Sequence, residues 1–309
     1  GPAGIGHAEP EQRGFHALKG MGVTDQHYAR EPGLKGAAVL ATDSALRAAL
    51  SYRIYRDQER GWRITAPNLE QCGLLVVDYL SLPELCADTE VWQDKHEALV
   101  SASAAERDRL CRILLNYMRQ ELAIRVDALD PVSQERMRSQ SDQRLVPPWG
   151  VDESEVLQTA KVLFPRPRRP TDRDDVTVLG ARSGFGQLLR RPGAFPTHGA
   201  KLTMEETETI IRDLLEALRR YGLVERVRED DEVPGYQVPA GALIWKAGDG
   251  TTPLRDPIRM PRMGETDGRT NRFFVRLYRE VAQEALGLEA REHTAQVTPE
   301  ERLEREAAF

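Results

Sequence analysis

The sequence predicts an α+β fold, mainly helical, in which a helical unit precedes a smaller unit of helix and hairpin. Three patterns carry this expectation. Over 101–124, Leu110, Ile113, Leu114, Tyr117, Met118 and Leu122 recur at steps of three and four, the period of a helix with one buried stripe. Over 202–221, Ile210, Ile211, Leu214, Leu215 and Leu218 do the same, and Gly222 then stops the helix ahead of two β-type runs, 223–227 and 236–245. The short apolar run GLLVVDYL, 73–80, reads as a buried strand.

In chain order, residues 1–35 are rich in Gly, His and Pro without apolar periodicity, so a flexible N-terminal segment is expected there. Gly1-Pro2 matches the pair left when an affinity tag is removed by a viral cysteine protease, so the start is expected to be a tag remnant. A mainly helical unit with a short strand is expected over 36–169. Its helices are 37–55, a short one over 82–92 entered at Pro83, the long one over 101–124, and a polar one from Asp130-Pro131 to about Leu145. Val156–Phe164 is either strand or helix. The run PRPRRPTDRDD, 165–175, has three prolines and mixed charge, which marks a surface linker and puts a domain boundary near 170.

The second unit, 170–247, opens with VTVLG and a short helix over 185–191. Its long helix has Thr203 as expected N-cap and Glu205 and Glu206 in the first turn, where the helix dipole favours acids. Helix, glycine and hairpin in that order are a winged-helix signature. Residues 248–270 hold glycines and prolines without periodicity and are expected to be a loop or linker, after which 271–288 returns to helix. The charged helical pattern at the end stops without a cap signal, so the chain reads as an excised fragment.

Composition narrows the function classes. The 309 residues are 40% hydrophobic and 30% charged, with a net charge of −6 and a mean hydropathy of −0.52, as in ordinary globular proteins. No apolar run approaches the roughly 18 residues of a membrane span, and no basic segment followed by an apolar one opens the chain, so a cytoplasmic protein with no membrane partner is expected. Cys72, Cys86 and Cys111 lack CxxC spacing, which argues against a disulfide framework and a zinc site; they are expected to be reduced and buried. The six histidines show no paired ligand spacing, so no metal site is expected. No GxxxxGK[ST] cradle for phosphates occurs, and DEVP at 231–234 follows a charged turn instead of ending an apolar strand. No catalytic residue is expected.

Arginine supplies the candidate chemistry, since only six of the 43 basic residues are lysines. Lys201, Arg212, Arg219, Arg220, Arg226 and Arg228 lie on or beside the winged-helix-like unit, where guanidinium groups could neutralise DNA phosphates. Glu205, Glu206, Glu208, Asp213 and Glu216 share the same helix, and the turn at 229–232 is Glu-Asp-Asp-Glu, which repels phosphate; a packing or protein-interaction role competes with DNA contact. Arg255, Arg259, Arg262, Arg269 and Arg272 form a second basic stretch, read as a solvated loop that a nucleic acid or a neighbouring domain could order. Gly180, Gly184 and Gly186 could approach an anion at a helix N-terminus, but their spacing favours a plain turn. Asn68, Glu70 and Gln71 sit among core residues and need partners, as at an inter-domain joint.

The stretch NRFFVRLYREVAQEALGLEAREHTAQVTPEERLEREAAF, 271–309, resembles the start of the second RecA-like lobe of superfamily 2 DEAD/DEAH-box helicases. The likeness rests on His293 and Thr294 in a turn after a strand, then Arg302 and Phe309 on the following helix. With GWRITAPNLEQCGLLVVDYLSLPELC and the winged-helix-like unit, residues 37–309 look like the inter-lobe insert and truncated second lobe of the large bacterial helicases found in DNA repair and anti-phage defence. The usual strand before the second-lobe helix is not evident, and the P-loop, DExH box and arginine-finger motif are missing. The resemblance implies a non-catalytic, DNA-guiding accessory fragment of an ATP-dependent DNA helicase, with no cofactor of its own. ATP and magnesium would belong to the parent. DNA, the remaining motor lobes and other defence or repair proteins would be partners, with His293, Thr294 and Arg302 added to the DNA-contacting residues. The alternative is a complete winged-helix DNA-binding regulator or protein-interaction adaptor without enzymatic activity.

Overall fold

The computed structural model describes residues 10–59, 66–152, 154–259 and 269–281. The chain divides into Gly1–Val275 and a second unit, Arg276–Phe309, described only as far as Val281. Within these residues the fold is mixed helix and sheet, of the α+β class. No described helix is long and apolar enough to cross a membrane.

Helices α1 (Pro10–Gly20) and α2 (Asp25–Tyr28) form where the sequence shows no periodicity. Single anchors hold them: Phe15 is buried, and the buried Tyr28 donates to Asp43 at 2.6 Å while accepting from Lys19 at 2.6 Å. The expected flexible segment therefore contains two helices between Pro10 and Tyr28, and Gly1-Pro2 lies outside the described residues. Helix α3 (Ala37–Arg56) follows and packs against α1 and later against α8.

Strand β1 (Leu75–Tyr79) alternates, with Val77 and Tyr79 buried and Val76 44% exposed, so it is buried on one face only. The expected 82–92 helix is two helices, α4 (Leu82–Ala87) and α5 (Thr89–Trp92), because the Asp88 side chain caps a new start by accepting from the Glu90 N–H. After α6 (Glu97–Ser101) comes α7 (Ala104–Gln120), opened by a Ser103–Glu106 capping box; Leu110, Leu114, Leu115 and Met118 are fully buried. Strand β2 (Ile124–Arg125) and α8 (Pro131–Arg144), capped by Asp130, complete this part.

The ambiguous 156–164 segment ends in β3 (Val162–Phe164), which pairs in parallel with β4 (Val176–Val178) across the proline-rich run. Then come α9 (Gly184–Leu189), α10 (Met204–Arg220), β5 (Glu225–Asp230), β6 (Val233–Pro239) and β7 (Leu243–Ala247). The single strand expected over 236–245 is thus two. β6 pairs antiparallel with β5 and β3 and in parallel with β2, making the hairpin part of a five-stranded sheet. β7 pairs antiparallel with β1, setting Val76 opposite Lys246.

Strands from both sides of residue 170 therefore pair with each other; the main core runs from Phe15 to Trp245, and a small second cluster, Val162, Phe164 and Val176, itself spans the proline-rich run. The proline-rich run crosses the surface between two paired strands instead of separating two cores. All three cysteines are buried and free. Helix α11 (Arg272–Arg276) and a wider helical turn, Leu277–Val281, end the described part.

Candidate functional site

Arginines gather in two places, and the first is the expected basic face. A capping box opens α10: the Thr203 hydroxyl accepts from the Glu206 N–H at 3.2 Å, and the Glu206 carboxylate accepts from the Thr203 N–H at 2.7 Å. Ile210, Ile211, Leu214, Leu215 and Leu218 turn inward, which leaves Arg212, Arg219 and Arg220 exposed, with Arg226 and Arg228 exposed on β5 and Lys201 just ahead of the helix.

Four of these arginines are bonded to carboxylates. Arg219 donates to Glu216 at 2.6 and 3.0 Å, and Arg226 reaches the same carboxylate at 3.1 Å; the Arg219 bonds hold the Glu216 carboxyl below its usual range. Arg220 pairs with Asp94 at 3.1 Å and Arg228 with Asp175 at 2.7 Å. Arg212 donates to the Thr209 hydroxyl. The acidic hairpin turn is itself clasped by the proline-rich run: Arg166 bridges Asp172 and Asp230, both at 2.6 Å, and Arg169 reaches Asp231 at 2.7 Å. His293, Thr294 and Arg302 lie outside the described residues, as does Arg262.

The second place is a cleft of about 850 Å³ between α7, β1, the end of α9 and the segment after β7. Arg109, Arg112, Ile113 and Asn116 stand at i, i+3, i+4 and i+7 on α7, so helical geometry alone puts them on one wall. Arg191, Arg255 and Arg269 add three more guanidinium groups. The floor is aliphatic, including Val76, Leu75, Leu188 and Leu254. No aromatic side chain stands among its described lining residues.

Backbone crossings build one end of the cleft. Gly73 has φ +65°, and a Cβ there would fall 2.6 Å from the Thr252 carbonyl oxygen, so only glycine lets the two segments meet. The Gly250 N–H then donates to Gly73 O at 2.8 Å and the Leu254 N–H to Glu70 O at 2.8 Å. The described part of the expected loop, 248–259, is thereby pinned to the 68–74 turn. The opposite end is fixed by arginines: Arg109 donates to the carbonyls of Gly193 (3.1 Å) and Ala194 (2.7 Å), and Arg191 to those of Pro257 (2.8 Å) and Ile258 (3.2 Å).

Under the wall, Arg119 is 0% exposed and makes a two-pronged ion pair with Glu70 at 2.6 and 2.9 Å. Gln58 accepts from Arg119, and Asn116 accepts from both Arg119 (3.2 Å) and the Tyr79 hydroxyl (2.7 Å). Burial pushes the Tyr79 hydroxyl up. At the cleft's side, burial would raise the Asp78 carboxyl, but bonds from Arg112 (2.6 Å) and Lys246 (2.5 Å) bring it to about 2. Among the described lining residues Glu70 and Asp256 carry carboxylates; Glu70 is neutralised by Arg119, and Arg112 is paired with Asp78 and Asp108.

Sequence reasoning singled out Glu70, Arg255 and Arg269 without joining them, and it missed Arg109, Arg112 and Arg191. The available signal was the spacing of Arg109, Arg112 and Asn116 beside the buried stripe of α7. The Gly180–Gly186 stretch is a tight turn: the Ser183 hydroxyl accepts from the Gly186 N–H, and a Cβ on Gly186 would fall 2.5 Å from two carbonyl oxygens. Asn68 donates to the Asp57 carbonyl at 3.0 Å, which ties the 68–74 turn to the end of α3. Among the described residues no three His, Cys, Asp or Glu side chains converge as a metal site would require. Compared with protein-family models, curated proteins and solved structures, the chain finds no match.

Proposed function

We propose that the chain is a non-catalytic, DNA-guiding part of an ATP-dependent superfamily 2 helicase, of the kind found in DNA repair and anti-phage defence. ATP and magnesium belong, on this reading, to motor lobes outside the chain. The supporting observation is the exposed basic set on a helix that runs into a hairpin in winged-helix order: Lys201, Arg212, Arg219, Arg220, Arg226 and Arg228. Exposed ion pairs contribute about 0–1 kcal/mol each, so a phosphate, which forms stronger bidentate bonds, competes well with a surface carboxylate for these guanidinium groups.

The test is binding of labelled single-stranded, duplex and forked DNA, followed by anisotropy over a salt series, for the natural sequence and for the triple variant Arg219→Ala, Arg220→Ala, Arg226→Ala. Salt-sensitive binding weakened in the variant supports the DNA-guiding face. The adaptor reading is favoured by one observation, the pairing of four of the arginines with carboxylates beside an acidic turn. It predicts no DNA binding at low salt.

A further inference from the structure

We infer that the cleft between α7, β1 and the 252–257 segment is a binding groove for a single strand of nucleic acid, distinct from the α10–β5 face. The inference rests on the DNA-guiding reading and names a second place where that function is exercised.

The state of its arginines is the first argument. Arg109 and Arg191 are held by neutral backbone carbonyls, so their orientation is fixed while their full positive charge remains. A guanidinium bonded on one edge still presents N–H donors and a flat face, the two features that bind phosphate and stack on a base. Arg255 and Arg269, from the segment after β7, also line the cleft. Among the described residues, Arg109 and Arg191 thus keep a charge that no ion pair takes up.

The second argument is shape. About 850 Å³ lies in the range of pockets that enclose small ligands or a few nucleotides. One strand fits that volume, with sugars and bases on the aliphatic floor at Val76 and Leu254 and phosphates toward the arginines. Asn116 and Gln71, also in the lining, offer amide donors and acceptors to base edges. The described lining offers guanidinium stacking and charge, a recognition that tolerates any sequence and weakens steeply with salt.

Val76 provides a clean test, because it is 44% exposed on the cleft floor and the three native cysteines are buried. Val76→Cys can therefore be labelled alone with a bulky, uncharged maleimide. Anisotropy with an oligo-thymidine of about a dozen nucleotides should show unlabelled Val76→Cys binding as the natural sequence does. Affinity should fall about tenfold or more after labelling, with melting temperature unchanged. Arg255→Glu with Arg269→Glu should give a similar loss and a shallower salt dependence.

Binding that survives both the label and the double charge reversal overturns the groove. If such binding is lost in the α10–β5 triple variant, the DNA-guiding reading stands without the groove. Binding that persists in the triple variant and fails on labelling upholds the groove and removes the α10–β5 face. Thymidine monophosphate competing as well as the oligonucleotide on an equal-concentration basis overturns the strand in favour of a small nucleotide. No binding of any DNA at low salt overturns the groove and the DNA-guiding reading together.

Discussion

The basic face of α10–β5 and two arginines of the cleft, Arg109 and Arg191, contain the same chemical group under opposite bookkeeping. On the face, Arg219 and Arg226 share Glu216, Arg220 meets Asp94 and Arg228 meets Asp175, so much of the positive field is cancelled where it arises. In the cleft, Arg109 and Arg191 are fixed by carbonyls, which orient a guanidinium without neutralising it. Counting arginines along a sequence cannot separate these cases. What decides whether an arginine attracts an anion is the identity of its existing partner, and that partner is set by tertiary structure: Asp94 is 126 residues from Arg220, and Gly193 is 84 from Arg109.

The largest effect expected from breaking this contrast lies beneath the cleft wall. Glu70 and Arg119 are almost wholly enclosed, so removing one partner strands the other charge away from water. Glu70→Ala should destabilise the fold by about 3–5 kcal/mol. It should also loosen Asn116 and the 68–74 turn that anchors Leu254. A pair on the face behaves otherwise: Asp94→Ala, which takes the exposed carboxylate from Arg220, should leave stability nearly unchanged. Chemical denaturation of the two variants measures both, and equal losses would show that the cleft wall is no better enclosed than the face.

The same contrast explains what was legible in the sequence. The helices of α7 and α10 were readable because a single buried stripe imposes a period of three to four on Leu110–Met118 and Ile210–Leu218; the cap at Thr203 was legible too, whereas the Ser103 cap of α7 was not read. Helix α1 was not readable, since its place depends on one buried ring, Phe15, and on distant α3. The hairpin of β5 and β6 was visible through its acidic turn, but its pairing with β2 and β3 was not, because sheet partners lie up to about a hundred residues away in sequence. Glu70 was recognisable as a polar residue in an apolar setting, and the need for a buried partner was correct in kind. That the partner would be Arg119, on the helix that also forms the cleft wall, followed only from packing.

A medium effect is expected at Asp78, the carboxylate that moderates Arg112 at the cleft's side. Its folded pKa of about 2 lies below the unfolded value near 4, so its ion pairs stabilise the fold fully above about pH 4, and this contribution is lost as pH falls toward 2. Asp78→Asn should therefore cost about 1–2 kcal/mol at pH 7 and progressively less in acid. The variant and the natural sequence should converge in stability near pH 2. The same substitution leaves Arg112 with one fewer carboxylate, so oligo-thymidine binding at pH 7 should strengthen while stability falls. A parallel loss of both would mean that Asp78 acts only by holding Arg112 and Lys246 in place.

The smallest expected effect tests the face directly. Glu216 accepts from Arg219 and Arg226 at once, so Glu216→Gln removes a single negative charge and releases two guanidinium groups from ion pairing. Exposed pairs of this kind contribute about 0.2–1 kcal/mol, which converts to roughly 1.5- to 5-fold tighter DNA binding at low salt. The gain should fade as added salt screens the face. It should be additive with labelling at Val76, since sites with no shared partners combine independently. If Glu216→Gln leaves DNA affinity unchanged at every salt concentration while Val76 labelling abolishes it, partner identity has already taken the face out of DNA contact, and the groove alone guides the strand.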